Sequence, residues 1–219
     1  MSRDKPLSIQ LATFPLEKTA RLREKARQES STVYGALLAA AVFAGERLSS
    51  EWAKSPVRVA TPVDIRNVLG VRDNVQALYT FPVLNHRVES EEHFWNTARR
   101  ASQDAASRRN PRYLREVFAA VQGLMDIRPT VSQIREFELS FFASEMVLSN
   151  IGTLPFPETF GDLQIRALWG PGVFLGVEGE QTLGVNTVAG TMHLTHLSYT
   201  PLPDLLEETL RILDTFLEL

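Results

Sequence analysis

An uninterrupted run of small and apolar residues, VYGALLAAAVFAG, occupies residues 33–45. A helix with apolar residues on every side has to be covered by the rest of the protein. The run has 13 residues, whereas a helix that spans a bilayer needs about 20. The run therefore predicts a buried helix, capped at its start by Ser31 or Thr32 and ending near Glu51, and no membrane span.

The spacing of apolar residues predicts four further helices. A surface helix, PLEKTARLREKARQESS, comes before the buried run. SEEHFWNTARRASQDAAS, residues 90–107, predicts another with Ser90 at its N-cap, and a third is expected from Pro111 to about Met125. The last segment, PLPDLLEETLRILDTFLEL, predicts a terminal helix that docks on a sheet through one stripe of leucines: Leu206, Leu210, Leu213 and Leu217.

Strand-length segments occupy the remaining parts of the chain. VRVATPVDI, residues 57–65, predicts one strand, and NVQALYTFPVLNHRV, residues 74–88, a second that Pro82 places at an edge or a bulge. Five pieces separated by glycine or proline turns then predict a meander: FFASEMVLSN, LQIRALWG, GVFLGVEG, QTLGVNTVAG and TMHLTHLSY. The order of elements predicts a single α/β domain over residues 1–219, with helices packed on a β-sheet.

Composition excludes several classes of function. The net charge of -3 and the pI of about 5.9 give no global basic field, so nucleic acid and anionic lipid are not expected partners. The chain has no cysteine, which removes disulfides, thiolate nucleophiles and cysteine-ligated metals. The opening MSRDKPLSIQ has no apolar core of a signal peptide, and we expect a cytoplasmic protein.

Four motifs occur in a fixed order along the chain: LEKTARLREKARQESSTVYGALLAAAVFA, ATPVDIRNVLG, LYTFPVLNHRV and LSNIG. In the same order they resemble the C-terminal half of the acyltransferase superfamily that contains chloramphenicol acetyltransferase, nonribosomal peptide condensation domains and polyketide-associated or alcohol acyltransferases. PVDIR is similar to that family's PVDLR strand end, LYTFPVLNHRV to its VNTLPLRV strand, and LSNIG to its SN-hydrophobic-G strand end. The resemblance covers nearly the whole chain and is strongest to the polyketide-associated or alcohol acyltransferase branch.

The resemblance implies a chloramphenicol acetyltransferase-like fold and a function in acyl transfer. In that family two α/β halves form a channel, in which an acyl thioester meets an acceptor alcohol or amine. The base is the second histidine of HHxxxDG on the N-terminal half. None of this chain's four histidines belongs to such a motif. The resemblance thus implies that an N-terminal half, in the same or a separate chain, supplies the catalytic histidine. It also implies a thioester of coenzyme A or an acyl carrier protein as co-substrate, with no bound cofactor.

A hydroxyl and an amide stand at the end of one predicted strand, at Ser149 and Asn150. Acyl transfer requires donors aimed at the oxyanion of the tetrahedral intermediate, and neutral donors serve without a full charge to desolvate. Because the resemblance places this strand end at the channel, we expect both residues on the oxyanion side. The alternative is that Asn150 only satisfies backbone groups of the following turn.

The aligned motifs suggest further residues near the channel. Tyr79, Thr80 and Trp169 are expected along it, and Tyr79 stands where the family's strand has Asn, which would narrow the acceptor side. Asp64 and Arg66, two residues apart at a strand end, are expected to pair and position the following loop.

Large apolar side chains in residues 153–171 suggest an interface. The resemblance places this segment where the chain crosses toward the other half. Phe156, Phe160 and Trp169 should then form an exposed apolar patch. The alternative is that they pack under the predicted meander.

Arginines are concentrated within 17 residues of the chain: Arg99, Arg100, Arg108, Arg109, Arg112 and Arg115. Such a cluster suits the phosphates of coenzyme A or an acidic carrier protein, or is simply a solvated helix face. His193 and His196 lie three apart on one predicted strand and point to opposite faces, so they cannot share a metal ion, and no metal site is expected.

A second function is compatible with the same motifs. Without HHxxxDG, the chain could be a noncatalytic interaction domain that keeps the fold and docks a carrier protein or a partner chain. Turnover and tight binding without turnover distinguish the two hypotheses.

Overall fold

The computed structural model describes residues 5–71, 75–88, 90–173 and 179–218. The strands are β1 (Ser8–Phe14), β2 (Val57–Ala60), β3 (Val63–Asp64), β4 (Tyr79–Thr80), β5 (Val83–His86), β6 (Met146–Thr153), β7 (Thr159–Phe160), β8 (Leu163–Gln164), β9 (Gln181–Val188) and β10 (Thr191–Ser198). The α-helices are α1 (Leu16–Gln28), α2 (Val33–Leu48), α3 (Ser50–Lys54), α4 (Arg66–Leu69), α5 (Phe94–Ser107), α6 (Pro111–Asp126), α7 (Val131–Phe141) and α8 (Leu205–Glu218). A single 3₁₀ turn, Glu91–His93, leads into α5.

Six of the strands form one mixed sheet in the order β1-β10-β9-β6-β2-β5. Strand β6 runs parallel to both of its neighbours, β2 and β9, whereas the other pairs are antiparallel. Parallel neighbours put their carboxyl ends at the same edge of a sheet. The polar end of β6 therefore lies beside the ends of β2 and β9, and the expected fold class, helices on a mixed sheet, is confirmed.

Helix α2 lies at the centre of the helical layer. Its apolar run is buried over residues 35–42, as the sequence predicts, and the Thr32 hydroxyl caps it by accepting from the Gly35 backbone N–H at 3.1 Å. Helices α5 and α8 pack against it, and α8 contacts α1 and the edge strand β1 as well. Rings from α5 and α8 meet in this layer, where Phe94 stacks on Phe216 with centroids 3.9 Å apart. The predicted terminal helix is confirmed.

Two predicted strands are each broken in two. The first is interrupted at Thr61 and Pro62, and the second at Phe81 and Pro82, so that β3 and β4 pair with each other outside the main sheet. The backbone N–H of Thr61 donates to the Pro82 carbonyl at 3.0 Å, which holds the two breaks side by side. Strand β5, which follows Pro82, is the sheet edge that the proline predicts.

The predicted meander is wrong. Strand β9 pairs in parallel with β6, and β7 and β8 form a separate two-stranded hairpin, so only β9 and β10 are consecutive antiparallel neighbours in the main sheet. Of LQIRALWG, only Leu163–Gln164 is a strand. Most of GVFLGVEG lies outside the described residues. The buried helix also ends earlier than expected, at Leu48, because Ser49 caps the separate helix α3.

The face of the sheet opposite the helices is covered by an extended segment, residues 165–173. The Asn186 side-chain amide on β9 donates to the carbonyls of Leu168 and Gly170, both at 2.9 Å. A Cβ at Gly184 would stand 2.1 Å from the Pro171 carbonyl oxygen, so glycine lets this segment approach the strand. The segment thereby forms a wall above the carboxyl end of β6.

Candidate functional site

A groove of about 970 Å³ opens at the carboxyl end of β6. Ser149 and Asn150 line its base, Asp64 and Tyr79 come from the β3–β4 ribbon, and Pro171 comes from the covering segment. Its volume is within the range of 300–1,000 Å³ that is usual for small-molecule sites. The carboxyl end of a strand in an open α/β sheet is also a usual place for a ligand.

The two polar residues at the strand end differ in their surroundings. Ser149 is 4% exposed and pairs in register with Gly184, beneath Pro171. Its hydroxyl makes no hydrogen bond with any residue that the structure describes. Asn150 is half-buried, and its Oδ1 accepts from the Gly152 backbone N–H at 2.8 Å. Its Nδ2 has no acceptor among the described residues, so one donor of this amide is unused by the fold.

Strand β6 does not end at Asn150, as the sequence predicts, but runs to Thr153 and is interrupted by a bulge at this point. The register with β9 shifts between Asn150 and Thr153, and Gly152 adopts a φ of 71°, which favours glycine. The side-chain carbonyl of Asn150 accepts a hydrogen bond from the backbone of the bulge. This is the backbone role that the sequence offers as the alternative for Asn150. The same hydrogen bond fixes the side chain, so that Asn150 both closes the turn and lines the groove.

Asp64 and Arg66 form an ion pair at the groove wall, with Arg66 Nη1 donating to Asp64 Oδ1 at 2.9 Å. The Arg66 backbone N–H donates to the same oxygen at 3.2 Å, and its Nη2 reaches the Gln76 carbonyl. These hydrogen bonds hold the start of α4 next to Gln76, which precedes β4 in the sequence. Sequence reasoning missed Asn67 and Val68, which also line the groove; their position directly after PVDIR was the available signal.

Of the other three residues predicted along the channel, only Tyr79 lines the groove. Tyr79 lines the groove and is 47% exposed. Thr80 is buried, and its hydroxyl has no partner among the described residues. Trp169 does not line the groove; it lies on the covering segment, with its ring centroid 5.1 Å from that of His193.

Three large apolar side chains are exposed, as the sequence predicts for an interface. Phe156, Phe160 and Trp169 are 40%, 52% and 42% exposed. They do not pack in the core beneath the strands, which was the alternative. Exposed aromatic groups of this size commonly mark surfaces that bind other macromolecules.

The arginine cluster is dispersed by the fold. Arg109 lines the groove, and no described residue pairs with it. Arg100 lies in a different cavity, and Arg99 is held by Glu29 at 3.1 Å. Two more arginines have partners on α6. The guanidinium of Arg108 lies 5.0 Å from the Tyr113 ring centroid, and Arg112 forms an ion pair with Glu116.

None of the four histidines lines the groove. Burial lowers the pKa of His86 and of His196 to about 4, so both are neutral at pH 7. His196 bonds to Gln181 at 2.9 Å, and burial also lowers the pKa of His193. Within the described ranges, no group of three or more His, Asp or Glu residues is arranged to hold a metal ion. Nor does any helix there combine the length and apolar character needed to cross a bilayer.

Comparisons with known proteins identify the fold. No protein-family profile matches the chain, and no curated protein does. Among solved structures, the condensation domain that mediates chain release from the enacyloxin polyketide synthase matches with a TM-score of 0.63 and 15% identity over 97% of this chain. Polyketide synthase associated protein 5 from Mycobacterium tuberculosis matches with a TM-score of 0.60 and 14% identity over 98% of it.

A wax ester synthase/diacylglycerol acyltransferase from Marinobacter aquaeolei matches as well, with a TM-score of 0.58 and 11% identity over 99% of this chain. The chain covers 41%, 54% and 52% of these three structures, so it spans about half their length. The chain therefore has the fold of condensation domains and chloramphenicol acetyltransferase-like enzymes, as the sequence motifs predict.

Proposed function

We propose that this chain is the C-terminal half of an acyltransferase. Its reaction moves an acyl group from a thioester of coenzyme A or a carrier protein to an alcohol or amine. The support from the fold is that it is shared by a polyketide synthase condensation domain, a polyketide synthase associated protein and a wax ester synthase/diacylglycerol acyltransferase, each about twice as long. The substrate-binding groove is the one at the end of β6.

The observation that carries the proposal is the free amide donor of Asn150 beside the unbonded hydroxyl of Ser149, both in one groove. When a nucleophile attacks a thioester carbonyl, negative charge develops on the carbonyl oxygen. A donor already fixed in place stabilises that charge without reorganising. Asn150 is fixed by its bond to Gly152, and its Nδ2 is available to donate.

The base has to come from elsewhere. An acceptor hydroxyl or amine must lose a proton as it attacks, and histidine is the usual base at neutral pH. Since no histidine of this chain lines the groove, we assign the base to the second histidine of HHxxxDG on an N-terminal half. The exposed Phe156 and Phe160 are candidates for the contact with that half.

The same absence of histidine favours a second candidate function. A noncatalytic domain would keep the fold and the exposed aromatic surface, and would bind a carrier protein or a partner chain without turnover. Such a domain has no need of an oriented, unbonded donor at Asn150, and for this reason we prefer the acyltransferase.

The composition of the native assembly tests the proposal. The chain is isolated from its source cells under native conditions, and the intact mass of its complexes is measured with identification of every polypeptide. We expect a chain or a covalently joined half that bears HHxxxDG, and acyl transfer from an acyl-coenzyme A or acyl carrier protein by that assembly. An assembly without such a half that binds acyl carrier protein without turnover would replace the proposal by the second candidate.

A further inference from the structure

A second cavity, of about 460 Å³, lies between the edge strand β5 and the first two turns of α5. We call it the Arg100 pocket and define it by its polar lining residues: Asn85, His86, Arg87, His93, Asn96, Thr97 and Arg100. It has no lining residue in common with the groove at the end of β6. What binds here is therefore a separate question from acyl transfer.

The lining of the Arg100 pocket is basic. Its lining includes two arginines and two histidines, and no described lining residue is acidic. Arg100 is exposed and pairs with no described residue, whereas its neighbour Arg99 is engaged by Glu29 and Asn96. Arg100 thus makes no contribution to the fold through an ion pair. An arginine without an ion-pair partner, in a concave site whose described lining residues carry no carboxylate, is suited to an anion. Asp104, which acts electrostatically on His86, does not line the pocket.

His86 supplies an independent observation. It is 3% exposed, yet neither of its ring nitrogens has a hydrogen-bond partner among the described residues. Buried polar atoms in native proteins are nearly always hydrogen-bonded. Burial lowers the pKa of His86 to about 4, so its ring is neutral at pH 7 and carries one N–H donor. The ring requires a partner that this part of the chain does not provide.

We propose that the Arg100 pocket binds a phosphate group, with Arg100 as its principal contact and His86 as a buried donor. Phosphate fits better than carboxylate because lining residues with donor groups come from separate elements: His86 lies at the end of β5, His93 in the 3₁₀ turn, and Arg100 on α5. A carboxylate has two oxygens and engages one guanidinium, whereas a phosphate offers a third oxygen for a second donor. The volume leaves room for the organic group of a phosphate ester.

Thermal unfolding of the 219-residue chain in increasing inorganic phosphate tests this proposal, with sodium chloride at matched ionic strength as the reference. A ligand that binds only the folded state raises the melting temperature in a saturable way. Arg100→Gln is the test variant, since the side chain is exposed and makes no ion pair with a described residue, so we expect the fold to be retained. Arg115→Gln is the matched control, because Arg115 is an exposed arginine that lines neither cavity.

We expect phosphate to stabilise the wild type and Arg115→Gln alike, and to bind Arg100→Gln at least about tenfold more weakly. The His86 ring signals in NMR spectra should shift on phosphate addition in the wild type. Equal stabilisation by chloride, or undiminished phosphate binding by Arg100→Gln, would overturn the proposal. Coenzyme A and O-phosphoserine are then compared with inorganic phosphate. Tighter binding of coenzyme A identifies a thioester donor as the source of the phosphate, and tighter binding of O-phosphoserine a phosphorylated protein.

Discussion

Replacing Asn150 by Asp separates two roles of one side chain. In the structure, Oδ1 accepts from the Gly152 N–H at 2.8 Å and holds the bulge, while Nδ2 is left to donate into the groove. Asp keeps an acceptor for Gly152 and has no donor when ionised. Asn150→Ala, the comparison variant, removes both. The two variants therefore differ in whether the hydrogen bond to Gly152 is kept. Both lose the donor that Nδ2 directs into the groove.

The expected magnitudes differ enough to be measured separately. A single neutral hydrogen bond at a half-buried site contributes about 1 kcal/mol, so Asn150→Ala should lower the melting temperature by about 2–4 °C in a chain of this size. Asn150→Asp should stay close to the wild type. The loss of an oxyanion donor costs about 2.7–4 kcal/mol, or roughly 10²- to 10³-fold in turnover, and both variants should show it.

The assay is steady-state acyl transfer by the proposed assembly with an HHxxxDG-bearing half, together with thermal unfolding of each variant. Turnover of Asn150→Asp within about threefold of the wild type would refute the donor role, because that loss is far below what an oxyanion donor contributes. Equal destabilisation by Asp and Ala would refute the turn role. Ser149→Ala tests the neighbouring hydroxyl separately.

Two further predictions concern the stability of the fold. Gly184→Ala should destabilise the fold by about 1–3 kcal/mol in urea unfolding, because the added Cβ meets the Pro171 carbonyl at 2.1 Å; unchanged stability would contradict the close approach. The free energy of unfolding should fall as the pH drops from 6.5 toward 4, since burial lowers the pKa of His86 and His196 to about 4 and the unfolded chain then binds protons that the folded chain does not. The loss should approach about 3 kcal/mol per histidine at most, and equal stability at about pH 7 and about pH 5 would contradict it.

The helices were predictable because their burial depends on local pattern. The run in α2 is apolar on every side and can only be buried, and the leucine stripe of α8 specifies the face that packs. Strand order was not predictable in the same way. Strand β9 could pair with β6 or with the segment just before it in the sequence. The choice depends on long-range strand pairing, which the spacing of apolar residues does not encode. Prolines 62 and 82 break their strands through missing donors, but only the structure shows the two breaks side by side.

Strand β1 and helix α7 are the longest elements that the sequence did not predict. Strand β1 lies at the sheet edge and exposes Ile9 and Leu11. Its apolar residues therefore do not mark a buried face, and the sequence pattern does not separate this strand from a loop. Helix α7 buries none of its residues, although Thr130 and Gln133 form a capping box that marks its start. At the site, motifs alone brought PVDIR and LSNIG to the groove, but the predicted end of the strand at Asn150 was wrong, because β6 continues through a bulge to Thr153. That Asn150 closes a bulge and keeps a free donor required coordinates, since both depend on the register with β9.

The most direct test of the central claim is acyl-transfer turnover of the purified chain alone, of its HHxxxDG-bearing half alone, and of the two together. If this chain forms one wall of a channel whose base lies on the other half, turnover appears only in the mixture and disappears when the second histidine of that motif is replaced by alanine. Turnover by this chain alone, or a mixture as inactive as its parts despite complex formation, would contradict the account.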